Sequence, residues 1–314
     1  MSDAKSRAAL LSVTSNTLLV GGKLAVGLAI GSVSVMSEAA HSGMDLIAAL
    51  IAFVAVRTAA RPADRDHAFG HGKVENLSGA IEALLILAAA IWIVVEAVDR
   101  LRHPAPLDAT LLGVGVMGLS AVVNLAVSGH LFRVARATGS VALLADAWHL
   151  RTDVWTSAGV LAGLLVIEVG RFLVPGVALG WLDPVVALAV ALLITKAAWD
   201  LTRDAARDLL DEAFPADEQA WLLEYIGSFH PVVRSVHRLR TRRAGPARFV
   251  DFHLAVDPAM TVEASHGLSE RLQVGIEGRF PGCSVVVHVE PCAGQCPEAC
   301  LQGCLIPPGE RPTT

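Results

Sequence analysis

The sequence predicts an α-helical membrane protein, with six transmembrane helices followed by a small α+β domain. The 314-residue chain is 54% hydrophobic and only 18% charged, which is too apolar for an ordinary soluble domain of this length. The long apolar runs end near residue 198, and beyond that point the period of the hydrophobic pattern changes. These two observations divide the chain into a membrane part and an aqueous part.

Six apolar stretches are each long enough to cross a bilayer, whose hydrocarbon core requires about 20 residues of α-helix. The predicted spans are Ala8–Ile30, Val33–Val56, Leu77–Val98, Ala109–Leu131, Val141–Ile167 and Val177–Ala198. The first stretch has no small-residue cleavage site and is followed almost at once by the second. We therefore expect it to stay on the chain rather than to act as a removable signal peptide.

The basic residues predict the orientation of the spans. One side of the membrane receives Lys5, Arg7, Arg57, Arg61, Arg65, Lys73, Arg133 and Arg136, and the other receives Arg100, Arg102 and Arg171. Because Lys and Arg concentrate in cytoplasmic connections, both termini are predicted to be cytoplasmic. The net charge of −5 averages lipid-facing helices with an aqueous segment, and no nucleic-acid-binding patch stands out.

The segment after the sixth span reads as a compact aqueous domain in the order helix, strand, strand, helix, strand. The predicted elements are Glu218–Phe229, Val236–Thr241, Arg248–Val256, Val262–Phe280 and Ser284–Glu290. The predicted domains are a transmembrane domain over residues 1–205, an α+β domain over 206–291 and a tail over 292–314. The tail is short and rich in Pro, Gly and Cys, so we expect it to be mostly flexible.

Alternation in two of these strands places apolar and polar side chains on opposite faces. In the second strand Val250, Phe252, Leu254 and Val256 share a face, which leaves Asp251 and His253 on the other. In the third strand valines 285, 287 and 289 share a face, so His288 and Glu290 point the opposite way. The polar face of the predicted sheet is therefore rich in groups that bind metals.

The same His-x3-Asp spacing occurs in the second and the fifth span, as His41 with Asp45 and as His149 with Asp153. Each pair lies on one face of its helix. Ionisable groups in hydrocarbon are costly and usually face a bundle interior or a wet cavity. Two facing pairs would supply two imidazole nitrogens and two carboxylates, a suitable tetrahedral set for zinc. The alternative is that these groups serve helix packing, with each Asp paired to a cation such as Arg151 or Lys23.

Other ionisable residues in or near the spans receive no metal role. Arg151 lies about 200° around the helix from either neighbouring site residue, so it is left out of the ligand set. For Glu38, Glu82, Asp146 and Asp183 the favoured interpretation is hydrogen bonding at helix ends or between helices.

Three segments resemble the signature sequences of the cation diffusion facilitator family: SEAAHSGMD at Ser37–Asp45, RPADRDHAFGHGKVE at Arg61–Glu75 and ADAWHLRTD at Ala145–Asp153. HRLRT at His237–Thr241, followed by RFVDFHL and VVVHVEP, is similar to that family's C-terminal domain. The resemblance implies a six-span homodimer that exchanges a divalent cation for protons by alternating access. It also implies a ferredoxin-like, metallochaperone-like cytoplasmic domain at the dimer contact.

Residue by residue, the resemblance implies three metal sites and one charge contact. His41, Asp45, His149 and Asp153 match the transport site, and Asp64, His67 and His71 match a loop site with a structural or regulatory role. His237, His253, His266, His288 and Glu290 match a binuclear cytoplasmic site, in which Glu290 stands where some relatives have Asp. Lys73 and Asp211 match a charge interlock between protomers. The alternative is a solvated loop and a polar sheet face that bind no metal.

The tail cysteines, Cys292, Cys296, Cys300 and Cys304, recur at every fourth position and are not explained by these motifs. On the cytoplasmic side disulfides are disfavoured, so free thiols or metal ligands are the better interpretations. The spacing differs from the usual zinc knuckle, and Pro297 disturbs a helix there.

The sequence thus predicts a multi-pass protein of the bacterial inner membrane that exports a divalent cation, with zinc as the substrate and also as a structural or regulatory ion. Iron, cobalt, nickel or cadmium remain open as the main substrate. Two other classes are weighed: a metal-gated channel or sensor without proton coupling, and a membrane metalloenzyme. No H-E-x-x-H segment or nucleophile elbow favours an enzyme.

Overall fold

The computed structural model describes residues 2–30, 33–103, 111–173, 181–292 and 298–311. The chain divides into two compact units, Met1–Arg207 and Asp208–Thr314. The division falls close to the boundary that the sequence predicts at residue 205.

The first unit is built of long helices that match the predicted spans. They are α1 (Ser2–Ile30), α2 (Val33–Ala59), α3 (Lys73–Arg102), α4 (Leu111–Thr138), α5 (Val141–Leu173) and α6 (Leu182–Leu209). Among the described residues, stretches of α1, α2, α3, α4 and α6 are long and apolar enough to cross a membrane. The predicted fifth span falls within the 33 residues of α5. The predicted starts of the fourth and sixth spans, Ala109 and Val177, lie outside the described residues.

Small side chains let these helices approach one another closely, as is common in membrane bundles. One buried cluster joins α1, α2, α4 and α5 and contains Ala8, Ala9, Ala55, Ala135, Ala142 and Ala147 among its members. On α3, a β-carbon at Gly79 would lie 2.9 Å from a methyl carbon of Val141. Glycine at this position therefore sets the distance between α3 and α5.

A buried polar network ties together three places at one end of the helix bundle. Lys5 on α1 donates to Glu75 at the start of α3, with 2.8 Å between Nζ and Oε1. Ser140, in the turn between α4 and α5, donates to the other carboxylate oxygen of Glu75. Both charged groups are buried, and a buried charge needs such partners to be tolerated.

The second unit has the predicted order of elements, α7 (Ala216–Gly227), β1 (Ser235–Ala244), β2 (Ala247–Val256), α8 (Val262–Arg279) and β3 (Cys283–Pro291). The sheet order is β1-β2-β3, with β1 antiparallel and β3 parallel to β2. Its core joins the apolar sheet face to the helices through residues such as Phe252, Leu254, Leu268 and Leu272. The predicted alternation is confirmed, since Val250 and Phe252 are buried while Asp251 is exposed.

A β-bulge interrupts β1 and explains why its sequence does not alternate. His237 pairs with His253 and Arg240 pairs with Asp251, so β1 contains one more residue than β2 over this stretch. Arg238 takes up the extra length with a left-handed φ of 51°. The bulge returns Leu239 to the core side, because the register shift reverses the order of the two faces.

The tail differs from the flexible segment that its composition predicts. Residues Glu298–Gln302 form the short helix α9, and Cys304 makes an antiparallel bridge with Ser235 of β1. Leu305 packs against the core of the domain. The tail does not need a core of its own, because its Leu305 packs into the core of the domain.

Candidate metal sites

The two His-x3-Asp pairs come together across helices α2 and α5. Nε2 of His149 lies 3.3 Å from Oδ1 of Asp45, and Nε2 of His41 lies 3.8 Å from Oδ1 of Asp153. Ligand atoms of His41, Asp45 and Asp153 all lie within 4.8 Å of one another. Each histidine therefore faces the aspartate of the other helix, and the four side chains form one cluster, the transmembrane cluster.

The members of the transmembrane cluster differ in exposure. Asp45 and His149 are buried, whereas the His41 side chain is 54% exposed. Nδ1 of His149 and Oδ2 of Asp153 have no hydrogen-bond partner among the described residues. The cluster therefore keeps two atoms, on His149 and Asp153, that are available to bind a ligand.

Two imidazoles and two carboxylates suit zinc, and they also suit other divalent first-row metals. The two carboxylates carry the charge that balances a divalent cation, which matters because an uncompensated charge is costly in an apolar interior.

The remaining polar residues of the bundle have other surroundings. The guanidinium of Arg151 stacks over the Phe132 ring at 5.5 Å, and Lys23 donates to Ser42 at 2.8 Å. Glu82 and Asp146 are fully buried, and their carboxylates retain oxygens without partners among the described residues. The side chains of Glu38 and Asp183 lie outside the described part of the chain.

The connection between α2 and α3 folds around Asp64. Its Oδ1 lies 3.3 Å from Nδ1 of His67, and its Oδ2 lies 3.3 Å from Nε2 of His71. The backbone N–H groups of Asp66 and His67 also donate to Oδ1. The bond from the His67 N–H, outweighing the modest effect of burial, holds the pKa of Asp64 below its ordinary value. The three predicted loop residues therefore form a preorganised cluster.

Glu290 is the centre of a cluster on the polar face of the sheet, the sheet cluster. Its carboxylate lies 3.2 Å from Nε2 of His237, 2.7 Å from Nδ1 of His253 and 3.5 Å from Nε2 of His288. Burial acts to raise the pKa of Glu290. The hydrogen bond from His253 and the charges of the three imidazoles together have a larger effect in the opposite direction, so the pKa lies below its ordinary value. Ligand atoms of His237, His253 and Glu290 all lie within 4.8 Å of one another.

His266 is not part of the sheet cluster in this chain. It is exposed on α8, where its Nε2 lies 3.3 Å from Oε1 of Glu270. The reason is the layer order, because α8 packs on the apolar face of the sheet while the cluster is on the opposite face. The fifth cytoplasmic ligand implied by the family resemblance is thus separated from the other four within one chain.

Sequence patterns did not single out the buried contacts of Lys5, Glu75 and Ser140. These residues are far apart in the sequence, and the first two read as ordinary basic and acidic residues near helix starts. The predicted charge interlock of Lys73 with Asp211 stays a prediction, and within its own unit Asp211 lies 3.5 Å from Arg242.

Known proteins resemble this chain along most of its length. The model of the cation efflux transmembrane domain matches residues 9–210, and that of the cation efflux protein cytoplasmic domain matches residues 200–292. An uncharacterized transporter of Synechocystis, sll1263, is 35% identical over 283 residues, or 90% of this chain and 89% of the relative. The cation-efflux pump FieF of Cronobacter sakazakii is 32% identical over 288 residues, or 92% of this chain and 93% of the relative.

Solved structures resemble shorter parts of the chain. The zinc form of CzrB is 35% identical, covers 28% of this chain and 99% of its own, and has a TM-score of 0.26. The metal-bound C-terminal domain of the CzcD transporter from Thermotoga maritima is 26% identical and has a TM-score of 0.23. The match covers 26% of this chain and 96% of that domain.

Proposed function

Because this chain belongs to the cation efflux family, a family of transporters and not of enzymes, we propose that it exports zinc in exchange for protons. The transmembrane cluster is the proposed transport site. The observation that carries the proposal is the close approach of His41, Asp45 and Asp153, with His149 in contact with Asp45.

The chemistry of the ligands accounts for the exchange. His and Asp must be deprotonated to bind a cation, so metal loading releases protons and proton binding releases metal. A divalent ion entering from the cytoplasm displaces protons from His41 and His149. Protons arriving from the opposite side then reload these imidazoles after the bundle has changed its direction of opening.

The donor types favour zinc over soft, thiolate-seeking ions, because the transmembrane cluster contains only nitrogen and oxygen ligands. Iron, cobalt, nickel and cadmium are the alternative cargoes within the same transport mechanism. A metal-gated channel or sensor is the alternative class, and it differs by moving or sensing metal without proton flux.

The remaining sites are proposed to support transport. The loop cluster of Asp64, His67 and His71 and the sheet cluster bind structural or regulatory ions, and the C-terminal domain holds two protomers together. The protein lies in the bacterial inner membrane with both termini in the cytoplasm, which the distribution of basic residues supports.

Transport into proteoliposomes with an imposed pH gradient tests the proposal. Zinc, cadmium, cobalt, iron and manganese are compared for the wild-type protein, Asp153→Ala and His41→Ala. We expect proton-linked zinc movement in the wild type and its loss in both variants, with the protein still folded.

Glu96→Gln is the matched control, because Glu96 is an exposed acid on α3 that pairs with Arg100 on its own helix. It should transport like the wild type. Zinc movement that ignores the pH gradient would favour the channel, whereas normal transport by both site variants would reject the transmembrane cluster as the transport site.

A further inference from the structure

Arg151 is a basic residue in the membrane-spanning part of α5 that lies outside the transmembrane cluster. It comes ten residues after the start of that helix. Its backbone is therefore about 15 Å from that end, which is half the thickness of a bilayer core of about 30 Å. Its Nε is buried and has no hydrogen-bond partner among the described residues. An arginine at this depth is costly and rare, which makes it a candidate functional residue.

The side chain of Arg151 reaches toward the membrane surface. Its guanidinium carbon lies 5.5 Å from the centre of the Phe132 ring on α4. Phe132 is only six residues from the end of that helix at Thr138, or about 9 Å, and the turn between α4 and α5 is at the same end. Because helical side chains point toward the N-terminus of their own helix, Arg151 places its charge nearer the surface than its backbone, as basic side chains in membranes commonly do.

A second arginine contacts the same ring. The guanidinium carbon of Arg136, in the last turn of α4, lies 5.7 Å from the centre of the Phe132 ring. The two positive charges are therefore no farther apart than the sum of their distances to this ring. Within the described ranges of the chain, neither Arg136 nor Arg151 forms an ion pair with a carboxylate. An aromatic ring attracts each cation but has no net charge, so the partner that is missing is an anion.

The surface of α4 between these arginines and the middle of the bilayer is apolar and open. Leu125 and Val122 lie on the same helical stripe as Phe132, and they are 47% and 66% exposed. Gly129 lies on this stripe between Leu125 and Phe132, and a β-carbon at this position would meet no neighbouring side chain or helix within 4 Å. The absent side chain leaves room for an extended acyl chain against the helix.

We propose that Arg151 and Arg136 bind the phosphate of an anionic phospholipid, whose acyl chain lies along Gly129 and Leu125 of α4. A guanidinium group donates two parallel N–H groups to phosphate oxygens, a geometry that lysine does not offer. Basic pockets between transmembrane helices on the cytoplasmic side of a membrane bind anionic headgroups, and the basic residues predict that this end of the bundle is cytoplasmic. The lipid supplies the negative charge that Arg151 lacks.

A free phosphate ion offers the same oxygens, but it does not cover the apolar stripe of α4. The stripe begins directly below the two arginines, so charge and apolar surface adjoin as they do in a phospholipid. The lipid is therefore the occupant that matches both features.

Native mass spectrometry of the full-length protein in detergent tests the proposal. Palmitoyl-oleoyl phosphatidylglycerol is the anionic probe, and palmitoyl-oleoyl phosphatidylcholine has the same acyl chains without net charge. We expect the first bound phosphatidylglycerol to bind at least about fivefold more tightly than the first phosphatidylcholine, because each arginine near the membrane surface contributes about this factor. Arg151→Gln and Arg136→Gln should each weaken phosphatidylglycerol binding about fivefold and leave phosphatidylcholine binding unchanged.

Two matched controls separate this site from general attraction at the membrane surface. Arg133→Gln removes an exposed arginine of α4 whose Nε donates to the Gly129 carbonyl of its own helix, and this variant should bind both lipids like the wild type. Gly129→Leu should weaken the binding of both lipids by filling the space beside α4. Gly21→Leu, at an equally open position of α1, should bind them like the wild type.

Thermal unfolding gives a second readout, because a ligand that binds the folded state raises the melting temperature. Phosphatidylglycerol should raise the melting temperature of the wild type and of Arg133→Gln more than that of Arg151→Gln.

Four results would overturn the proposal: equal affinity for the two lipids, undiminished phosphatidylglycerol binding by Arg151→Gln, an equal loss in Arg133→Gln, and displacement of phosphatidylglycerol by inorganic phosphate. The last result would identify a site for free phosphate. These measurements use no metal and no pH gradient, so their outcome is independent of the transport proposal.

Discussion

At the residue scale, the pairing within the transmembrane cluster runs between helices and not along them. Asp45 of α2 faces His149 of α5, and His41 of α2 faces Asp153 of α5. The side chains on one helix alone would give two ligands on one face, which is too few for a closed metal shell. The relative position of α2 and α5 therefore sets the geometry that an ion would meet.

The thiol of Cys283 gives a prediction about reactivity. Burial raises its pKa to about 11, from an ordinary value of 9.0, although the charge of Arg248 acts in the opposite direction. Because the thiolate is the reactive form, the thiolate fraction at pH 8 is about 100-fold lower than in the unfolded chain. We expect alkylation of Cys283 to be slower by at least this factor in the native protein, as measured by mass spectrometry of its peptide.

The sign of this shift also fixes a pH dependence. A group whose pKa is raised on folding contributes stability below its unfolded pKa, and that contribution is lost as the pH rises through the folded value. The stability that Cys283 contributes is therefore lost as the pH rises from 9 to about 11.

Equal alkylation rates in the native and denatured protein at pH 8 would show that Cys283 is not buried.

At the element scale, the bulge in β1 makes a prediction that separates two neighbouring arginines. Arg238 and Arg240 are both exposed, but only Arg238 has a positive φ. A left-handed conformation costs a non-glycine residue about 1–2 kcal/mol, whereas glycine in a regular strand is destabilising by about 0.5–1 kcal/mol. Arg238→Gly should therefore raise the free energy of unfolding, and Arg240→Gly should lower it.

Denaturant unfolding of the full chain, followed by the reactivity of the buried Cys283 thiol in the same domain, measures both variants. Equal destabilisation by the two substitutions would contradict the bulge.

The buried network of Lys5, Glu75 and Ser140 predicts a pattern of single and double substitutions. Removing one partner of a buried ion pair leaves an uncompensated charge and costs about 3–5 kcal/mol, whereas replacing both partners by apolar residues is often neutral. Lys5→Met and Glu75→Leu should each lower the melting temperature in detergent. The double variant should be more stable than either single variant.

Arg7→Met is a suitable control for that series, since Arg7 forms an exposed pair with Asp3 on the same helix and such pairs contribute little. Additive losses in the double variant would show that Lys5 and Glu75 do not act together.

Local patterns predicted most elements, and long-range contacts account for what they missed. Alternation located β2 and β3 because each has one buried and one polar face. It could not predict the bulge at Arg238, since only pairing with β2 reveals the extra residue. The tail was misjudged for the same reason, because its composition does not encode the β1 edge on which it docks.

Spacing predicted which candidate ligands lie close together, and their binding of metal stays a prediction. Two His-x3-Asp pairs on apolar helices, and three ligands within one short loop, are local signals, and the structure brings each set together. His266 shows the limit of this approach, since its residue type fits a ligand but its helix lies on the wrong side of the sheet. A face assignment requires the layer order, which a single sequence pattern does not supply.

At the scale of the whole molecule, the cysteines are natural reporters of orientation. All five lie at position 283 or beyond, within the second unit. If both termini are cytoplasmic, a membrane-impermeant maleimide should leave the protein unlabelled in intact cells and label it in inverted membrane vesicles. The mass shift of the labelled protein measures the modification. Modification in intact cells would contradict the predicted orientation.

The edge position of β1 has a consequence for the solubility of the protein. A free strand edge offers unpaired N–H and C=O groups to any other chain that can add a strand, which is a common route to aggregation. The segment Gly303–Leu305 occupies these groups at Arg234 and Val236. A chain ending at Pro291 would keep its long helices and the sheet histidines. It would, however, expose the unpaired edge of β1, to which strands of neighbouring copies could add in succession.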